Sequence, residues 1–579
     1  MVITRIEINN IKGIEHLAIN QNIQPNRPNI LVAPNGFGKS SIAIAFKTLV
    51  ANKIGLKPEE EPNPRNGEPS VTLSLSTGQT ISADKDSNTI RDLFTIHVVT
   101  NPLLPTAKAQ RFGKIVTAKA SMNIEPTVVI KTIPVAIRFK YSLANMKRLF
   151  GDSNKILKDI SALYSNYDFL DKIEKKVNTH VFELGAYKNS ITKTLAIINS
   201  HHTKTATEIK NRIVADSMFA DFCQEFHTLS AFIKEELGLD DVDAYLSTWQ
   251  FVSVKLAMRG NYKQALQYAG YLAKKRNLDN TLQEINPFSD RFRIASKEKD
   301  HSLIIEWPKA HLISSGQRDI LVFIAKLMEC KYQAGGNCIL VIDEFFDYLD
   351  DANVVAFQYY ISTLIDSFKK SKKLIFPILL THLDPNYLKH FCFNDSRLNI
   401  VYLKQINAQV SDKMAKLVAN REHDSIKDVL DTHYFHYSNL ANGVNISAEF
   451  ETLGLNKDWG CPAAFVKKIN RELRKYLLQP EDKYDPLAVC FAVRRKIEEL
   501  VYCELQQEEH RALFLNTHGT NEKLREAQKH GVSIPETYFL LGIIYNHPLH
   551  VAGNEDLSKP LSLKLDNPSI KNMIRKLWD

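Results

Sequence analysis

The stretch ILVAPNGFGKSSIAIAF, residues 30–46, sets two apolar runs on either side of Pro34, Asn35, Gly36, Gly38, Lys39 and Ser40. The run "NILVA" predicts a buried strand, and the residues after Gly38 carry the spacing of an amphipathic helix. Between them, "APNGFGKS" (33–40) fits the pattern GxxxxGK[ST], with Ala33 at the place of the first glycine. Small residues let successive backbone N–H groups close around phosphate oxygens at a helix N-terminus. Lys39 is then placed to reach β- and γ-phosphates and the Ser40 hydroxyl to ligate Mg²⁺, with Asn35, Gly36, Gly38 and Ser41 completing the loop. Glycine-rich turns also arise by chance, but a strand before and a helix after argue against chance here.

Two further stretches bear on the same chemistry. "CILVIDEFFDYLDD" (338–351) reads as a buried strand ending in Asp343 and Glu344. A carboxylate there suits a Mg²⁺–phosphate ligand, and its neighbour suits a general base, so Asp343 is the expected metal residue and Glu344 the expected base. Taken alone, a strand ending in Asp-Glu is common; the phosphate loop upstream gives it meaning. "LISSGQRDIL" (312–321) leads straight into an apolar-periodic helix. Ser314, with the N–H groups of Ser315 and Gly316, would present donors to a γ-phosphate, although Ser at a helix start is also an ordinary cap.

The chain has 579 residues, 44% hydrophobic, which suggests three or four domains. No apolar run approaches the ~18–20 uncharged residues of a bilayer span, and "MVITRIEINN" lacks a signal-peptide pattern. A cytoplasmic address without membrane partners is expected. Seven cysteines are scattered without a CxxC pair or zinc spacing and are expected to be reduced thiols. A net charge of +9 permits nucleic-acid contact without requiring it. Strands are expected at 2–8, 29–33, 71–75, 94–100, 338–343, 374–382 and 398–403, and a loop at 57–69. From Val135 to Asn286 there is no proline and the apolar spacing is helical. Glycines interrupt this stretch and no heptad is sustained, so compact helices are expected there rather than a long coiled coil. After about residue 405 the pattern is helical again.

In order, "APNGFGKS", "ISSGQ", "VIDEFFDYLD" and "LLTH" resemble the Walker A, signature, Walker B with D-loop, and switch-histidine motifs of the ABC ATPase superfamily. The opening "ITRIEINNIKGIEHLAI" and the insertion make the chain similar to the SMC, Rad50 and RecF branch, over roughly residues 1–110 and 300–405. The resemblance implies an α/β fold: a two-lobed ABC ATPase head (mixed β-sheet with helices), a helical insertion and a helical C-terminal domain. The expected domains are 1–110 (N-lobe with Walker A), 111–300 (insertion), 301–405 (C-lobe with signature, Walker B and switch histidine) and 406–579 (partner-binding or effector module).

The resemblance further implies ATP and Mg²⁺ as cofactors, with Lys12, Asn35, Gly36, Gly38, Lys39, Ser40 and Ser41 around the nucleotide. Ser314, Ser315, Gly316 and Gln317 match the signature, Asp350 the D-loop aspartate, Glu344 the base and His382 the switch histidine. Ala33 and Ser315 each replace a usual glycine, and Asn101 stands where the family has a metal-contacting glutamine. Because such signatures close on the ATP of a second protomer, a homodimer or higher oligomer is implied.

The compact insertion resembles those of ATPases in bacterial anti-phage defence, of the Septu type with its retron-associated relatives and of the PARIS type. A separately encoded effector nuclease is then the expected partner, with reverse transcriptase or nucleic acid as further candidates. Residues 406–579 show no HNH or Toprim pattern. Arg494, Glu498 and His530 resemble the Arg/Glu/His set of ABC-linked anticodon nucleases, a metal-free RNase class, with His510, His518 and His550 as rivals for the histidine. An Arg and Glu four apart are also an ordinary helical ion pair. A RecF-like role in DNA repair fits the same ATPase motifs.

Overall fold

The segments "NCILVID" and "IFPILLT" are apolar almost throughout, with no polar alternation to mark a solvent face. Such strands need cover on both sides, which a parallel sheet between helices provides. The computed structural model bears this out. It describes residues 1–61, 67–100, 103–112, 115–124, 126–200, 205–285, 294–307, 315–343, 351–383, 398–403, 407–439, 444–479, 482–546 and 558–578.

The chain begins with the hairpin β1 (Ile3–Ile11) and β2 (Ile14–Ile19), then β3 (Asn29–Val32) and helix α1 (Lys39–Thr48). Strands β4 (Ser70–Leu75), β5 (Thr80–Ala83) and β6 (Phe94–Val99) follow. A long hairpin, β7 (Leu103–Phe112) and β8 (Ile115–Ile124), leads to β9 (Thr127–Ile130). After the helices come β10 (Ser296–Lys299), β11 (Ser302–Ile305), β12 (Asn337–Asp343), β13 (Ile375–Thr381) and β14 (Asn399–Tyr402).

By their contacts these residues form two units, Met1–Asn101 with Gly335–Asp579, and Pro102–Ala334. The first unit contains a parallel sheet ordered β14-β3-β13-β12-β6 and an antiparallel sheet ordered β2-β1-β4-β5. In β4 exposure alternates residue by residue, as a sheet covered on one face requires. Ile6, Ile8, Val71 and Leu73 join Phe46, Ile339 and Phe376 in a single apolar core.

Pro377 lies inside the central strand β13, where a missing N–H ordinarily breaks a ladder. Its carbonyl accepts from the Asn29 side chain at 3.0 Å, so this residue faces the β3 side, and β3 pairs only from Ile378↔Asn29 onward. No ladder bond is lost. Asn29 is fully buried; its amide also reaches Gln24 O at 2.9 Å, and its Oδ1 accepts from Gln24 N at 2.7 Å and Asn399 Nδ2 at 2.8 Å. One asparagine thereby ties β3, β13 and β14 together at the end where the strands begin.

Also in the first unit, the residues from Ala408 to Leu577 bury a helical core of their own, in which Phe435 stacks on Phe491 and Phe465 meets Phe491 edge-on. Asp485 starts the helix Pro486–Glu504 by accepting from the backbone N–H of Leu487 and Ala488.

The second unit is helical between Leu143 and Ile285, around Phe150, Phe226, Trp249 and Phe251. Strands β8, β9 and β10 fall within residues 111–300 beside these helices. The β-branched "TVVI" of β9 pairs with "SLII" of β11, and the helix Ser315–Gln333 is pinned to β9 by Gln333 Nε2, which donates to Val128 O at 2.6 Å. Cys223, Cys461, Cys490 and Cys503 are free thiols. No helix of the described residues is long and apolar enough to cross a membrane.

Candidate functional site

The predicted strand, loop and helix at 29–48 are all present. Within the loop only Gly36 (φ 83°) and Gly38 (φ 102°) have positive φ, so Ala33 stands in a conformation open to any residue. A Cβ at Gly36 would meet nothing within 4 Å, which leaves the space before the loop open. Lys39 is 3% exposed. Its ammonium donates to Ala33 O at 3.2 Å, Pro34 O at 3.3 Å and Asn35 Oδ1 at 3.2 Å, folding the side chain back over the loop. Gly38 caps α1 without a side chain, and Ser40 is exposed at the first turn. The helix N-terminus therefore keeps donors and positive dipole for an anion.

The turn between β1 and β2 is fastened to this helix start. Lys12 takes a left-handed conformation (φ 50°), its N–H bonds Glu60 O at 2.7 Å, and the N–H of Gly13 donates to Ser41 Oγ at 3.4 Å. The Lys12 side chain is exposed.

Sheet order then decides what else reaches the loop. Strand β3 pairs with β13 so that Thr381 lies opposite Val32, and β13 pairs with β12 so that Leu380 lies opposite Asp343. The N–H of Ala33 donates to Thr381 O at 3.1 Å. His382, half-buried, follows that carbonyl directly, while the Thr381 hydroxyl accepts from Leu383 N at 2.9 Å. The loop 33–40, His382 and Asp343 thus share the carboxyl end of three adjacent parallel strands, where ligands of open α/β sheets bind.

The helix after "ISSG" begins at Ser315. Ser314, Glu344, Asp350, Asn101 and His550 lie outside the described residues, as do the side chains of Ser315, Gly316 and Gln317.

The C-terminal region holds a second concentration of charge. Arg494 and Glu498 lie on the helix Pro486–Glu504 and are both buried, 6% and 0% exposed. Glu498 accepts from His436 Nδ1 at 2.6 Å, Tyr437 N at 2.8 Å and Thr520 Oγ1 at 2.7 Å, with Lys523 Nζ at 3.8 Å. Burial works to raise the Glu498 carboxyl, but His436, Lys523 and Arg494 outweigh it and hold it well below the usual carboxylate range. Burial pushes His436 below its ordinary value, while Glu498 beside it works the other way; an ionised carboxylate can only accept, so His436 donates through Nδ1. Arg495 donates to the carbonyls of His433 and Tyr434.

The structure brings Arg494 and Glu498 together as the spacing predicts, but the histidine on Glu498 is His436. His530 instead contacts Glu526 at 3.2 Å and stacks on His510, ring centres 3.7 Å apart. His436 precedes Glu498 by 62 positions, and no periodicity links residues so far apart. Asn29 was equally hidden, because an asparagine at a strand start is ordinary.

No known family matches the sequence, and no curated protein does. Among solved structures, the chain is similar to the Smc head domain of Pyrococcus furiosus with an extended coiled coil, bound to the C-terminal domain of ScpA. The two are 14% identical with a TM-score of 0.26, over 66% of this chain and 90% of that one. A second SmcHead, bound to the C-winged helix domain of ScpA, gives 12% identity and a TM-score of 0.23 over the same shares. The recombination mediator RecF, solved with ATP, gives 10% and 0.22 over 70% of this chain and 98% of that one.

Proposed function

We propose that this chain is an ABC-type ATPase of the SMC and RecF kind that binds and hydrolyses ATP at the loop 33–40. We further propose that it works in the cytoplasm as a homodimer or higher oligomer, the sensor and scaffold of an anti-phage defence complex that controls a separately encoded nuclease. The observation that carries the ATPase reading is the convergence of Lys39, His382 and Asp343 at one end of the parallel sheet.

The residues present fit a nucleoside triphosphate with Mg²⁺. Lys39 and the α1 N-terminus offer cationic donors before open space, and Ser40 and Asp343 offer the oxygens a hard cation takes. Mg²⁺ would neutralise charge developing on the phosphates. Glu344 is the residue proposed to take the proton of the attacking water, and the signature at 314–317 is proposed to meet the γ-phosphate held by a partner protomer.

ATP turnover and light scattering test this reading on the wild type, Lys39→Ala and Glu344→Gln. Lys39→Ala is expected to lose ATP binding, and Glu344→Gln to bind ATP, stop turning it over and accumulate as a dimer. Unchanged turnover in Glu344→Gln overturns the catalytic assignment. Incubation with total tRNA separates the scaffold reading from the RNase alternative: cleavage by the wild type that is lost in His436→Ala or His530→Ala makes the chain its own effector.

A further inference from the structure

Two stretches of the second unit are one-sided in charge. Residues 131–151 and 244–278 together hold eleven lysines and arginines and no aspartate or glutamate. Lys255, Arg259 and Lys275 are answered from elsewhere in the chain, by Glu174 at 2.9 Å, Glu183 at 2.6 Å and Glu298 at 2.7 Å. Arg138, Lys140, Lys274 and Arg276 are exposed, and among the described residues their side chains make no ion pair or hydrogen bond. Unpaired cations concentrated in this way attract a polyanion.

The same two stretches enclose a cavity of about 340 Å³. The first contributes Arg138 and Phe139, the second Tyr268 and Arg276, and the short helix Ser161–Ser165 adds Tyr164 and Ser165. Ala265, Ala269 and Ala273 recur at intervals of four on the helix Tyr262–Ile285, so the cavity follows this helix from Ala265 to Arg276, about 16 Å. No carboxylate lines it; Arg138, Arg276 and the hydroxyls of Ser165 and Tyr268 can all donate. Its aromatic wall is preorganised. Tyr164 stacks on Tyr141 and Phe251, with ring centres 5.4 and 5.7 Å apart, and Phe139 meets Tyr164 at 5.1 Å. Tyr268 is half-buried, with Tyr271 at 5.9 Å.

We propose that this cavity binds a short run of single-stranded nucleic acid, independently of the ATPase reading of the loop 33–40. Arg138 and Arg276 take phosphates, and bases enter against Tyr268 and Phe139. A basic groove with an aromatic wall holds single strands without reading their sequence. The length of the groove exceeds one nucleotide, which favours a strand over a free nucleotide. A duplex keeps its bases stacked inside and would meet the arginines alone.

The test is fluorescence anisotropy of labelled oligodeoxythymidine and oligouridine, each of about twelve nucleotides, over a range of salt concentrations. The full chain carries Lys39→Ala, so that the loop 33–40 does not contribute. Binding of at least one strand is expected, and tighter binding of one names the sugar preferred. Arg138→Gln with Arg276→Gln should weaken it about tenfold or more and flatten the logarithmic salt dependence by roughly 1.4, two phosphate contacts being lost. Tyr268→Leu keeps an apolar wall and should weaken binding about fivefold or more with the salt dependence unchanged. Should Tyr268→Leu unfold the chain, the arginine pair still decides, because both side chains are exposed. Absence of binding by both strands, or binding that ignores the arginines or a folded Tyr268→Leu, overturns the proposal. So does equal binding of a duplex of the same length. Displacement by poly-glutamate as readily as by unlabelled strand also overturns it, and marks the cavity as a site for an acidic peptide.

Discussion

Lys39 and Glu498 are both ionisable and almost wholly buried, yet they are held in different ways. The acceptors of Lys39 lie four to six residues away in the chain, on the loop that the lysine itself closes. The donors to Glu498 come from positions 22 to 62 residues distant, on two separate segments. A local clasp can open toward a ligand without disturbing the core, because its partners are two backbone carbonyls and the Asn35 side chain of the same loop, all of which water can serve instead. A network assembled from distant segments is part of the core, and losing one member strands the others.

The largest expected effect therefore falls on the distant network. Glu498→Ala, by leaving Lys523 and Arg494 without their buried counter-charge, should cost about 3–5 kcal/mol in urea unfolding. A loss below about 1 kcal/mol would show that the cluster contributes little and would remove the contrast with Lys39. The same residue sets a pH dependence. Its folded pKa lies below the unfolded carboxylate value of about 4.3, so its contribution is present above that pH and is lost as pH falls toward the folded value. Glu498→Gln should accordingly flatten the acid limb of the stability curve, and an acid limb parallel to wild type would count against the assignment.

Asn29 tests an intermediate case, with partners both adjacent and distant in sequence. Asn29→Ala leaves the Gln24 N–H and the Asn399 amide without their acceptor and should cost about 2–4 kcal/mol. If the comparison holds, the loss lies nearer to that of Glu498 than to a loop substitution, because β13 and β14 are reached through it. Gly38→Ala probes the local clasp alone. At φ 102° a side chain is strained, with Ile14 Cγ1 at 3.6 Å, and about 1–2 kcal/mol of stability should go, read as a shift in the thermal midpoint. An equal or larger loss than for Asn29 would erase the distinction between the two kinds of site.

The amino-acid sequence alone determined the strand, loop and helix that begin at Asn29, the strands expected at 338–343 and 374–382, and the helix into which LISSGQRDIL leads. Each of these follows from apolar period and loop composition over about twenty residues or fewer, which is the range over which a backbone reads its own side chains. It also placed Arg494 and Glu498 on one helix, because four residues make about one turn. The tertiary structure decided the rest. The order β14-β3-β13-β12-β6 set Thr381 and Asp343 at the same end of the sheet as the loop 33–40, the start of β3 pairing only after Pro377 made that proline tolerable in a central strand, and His436 rather than His530 met Glu498. Strand neighbours and the partners of buried charges are chosen by how distant segments share one core, and that choice leaves no periodic trace along the chain.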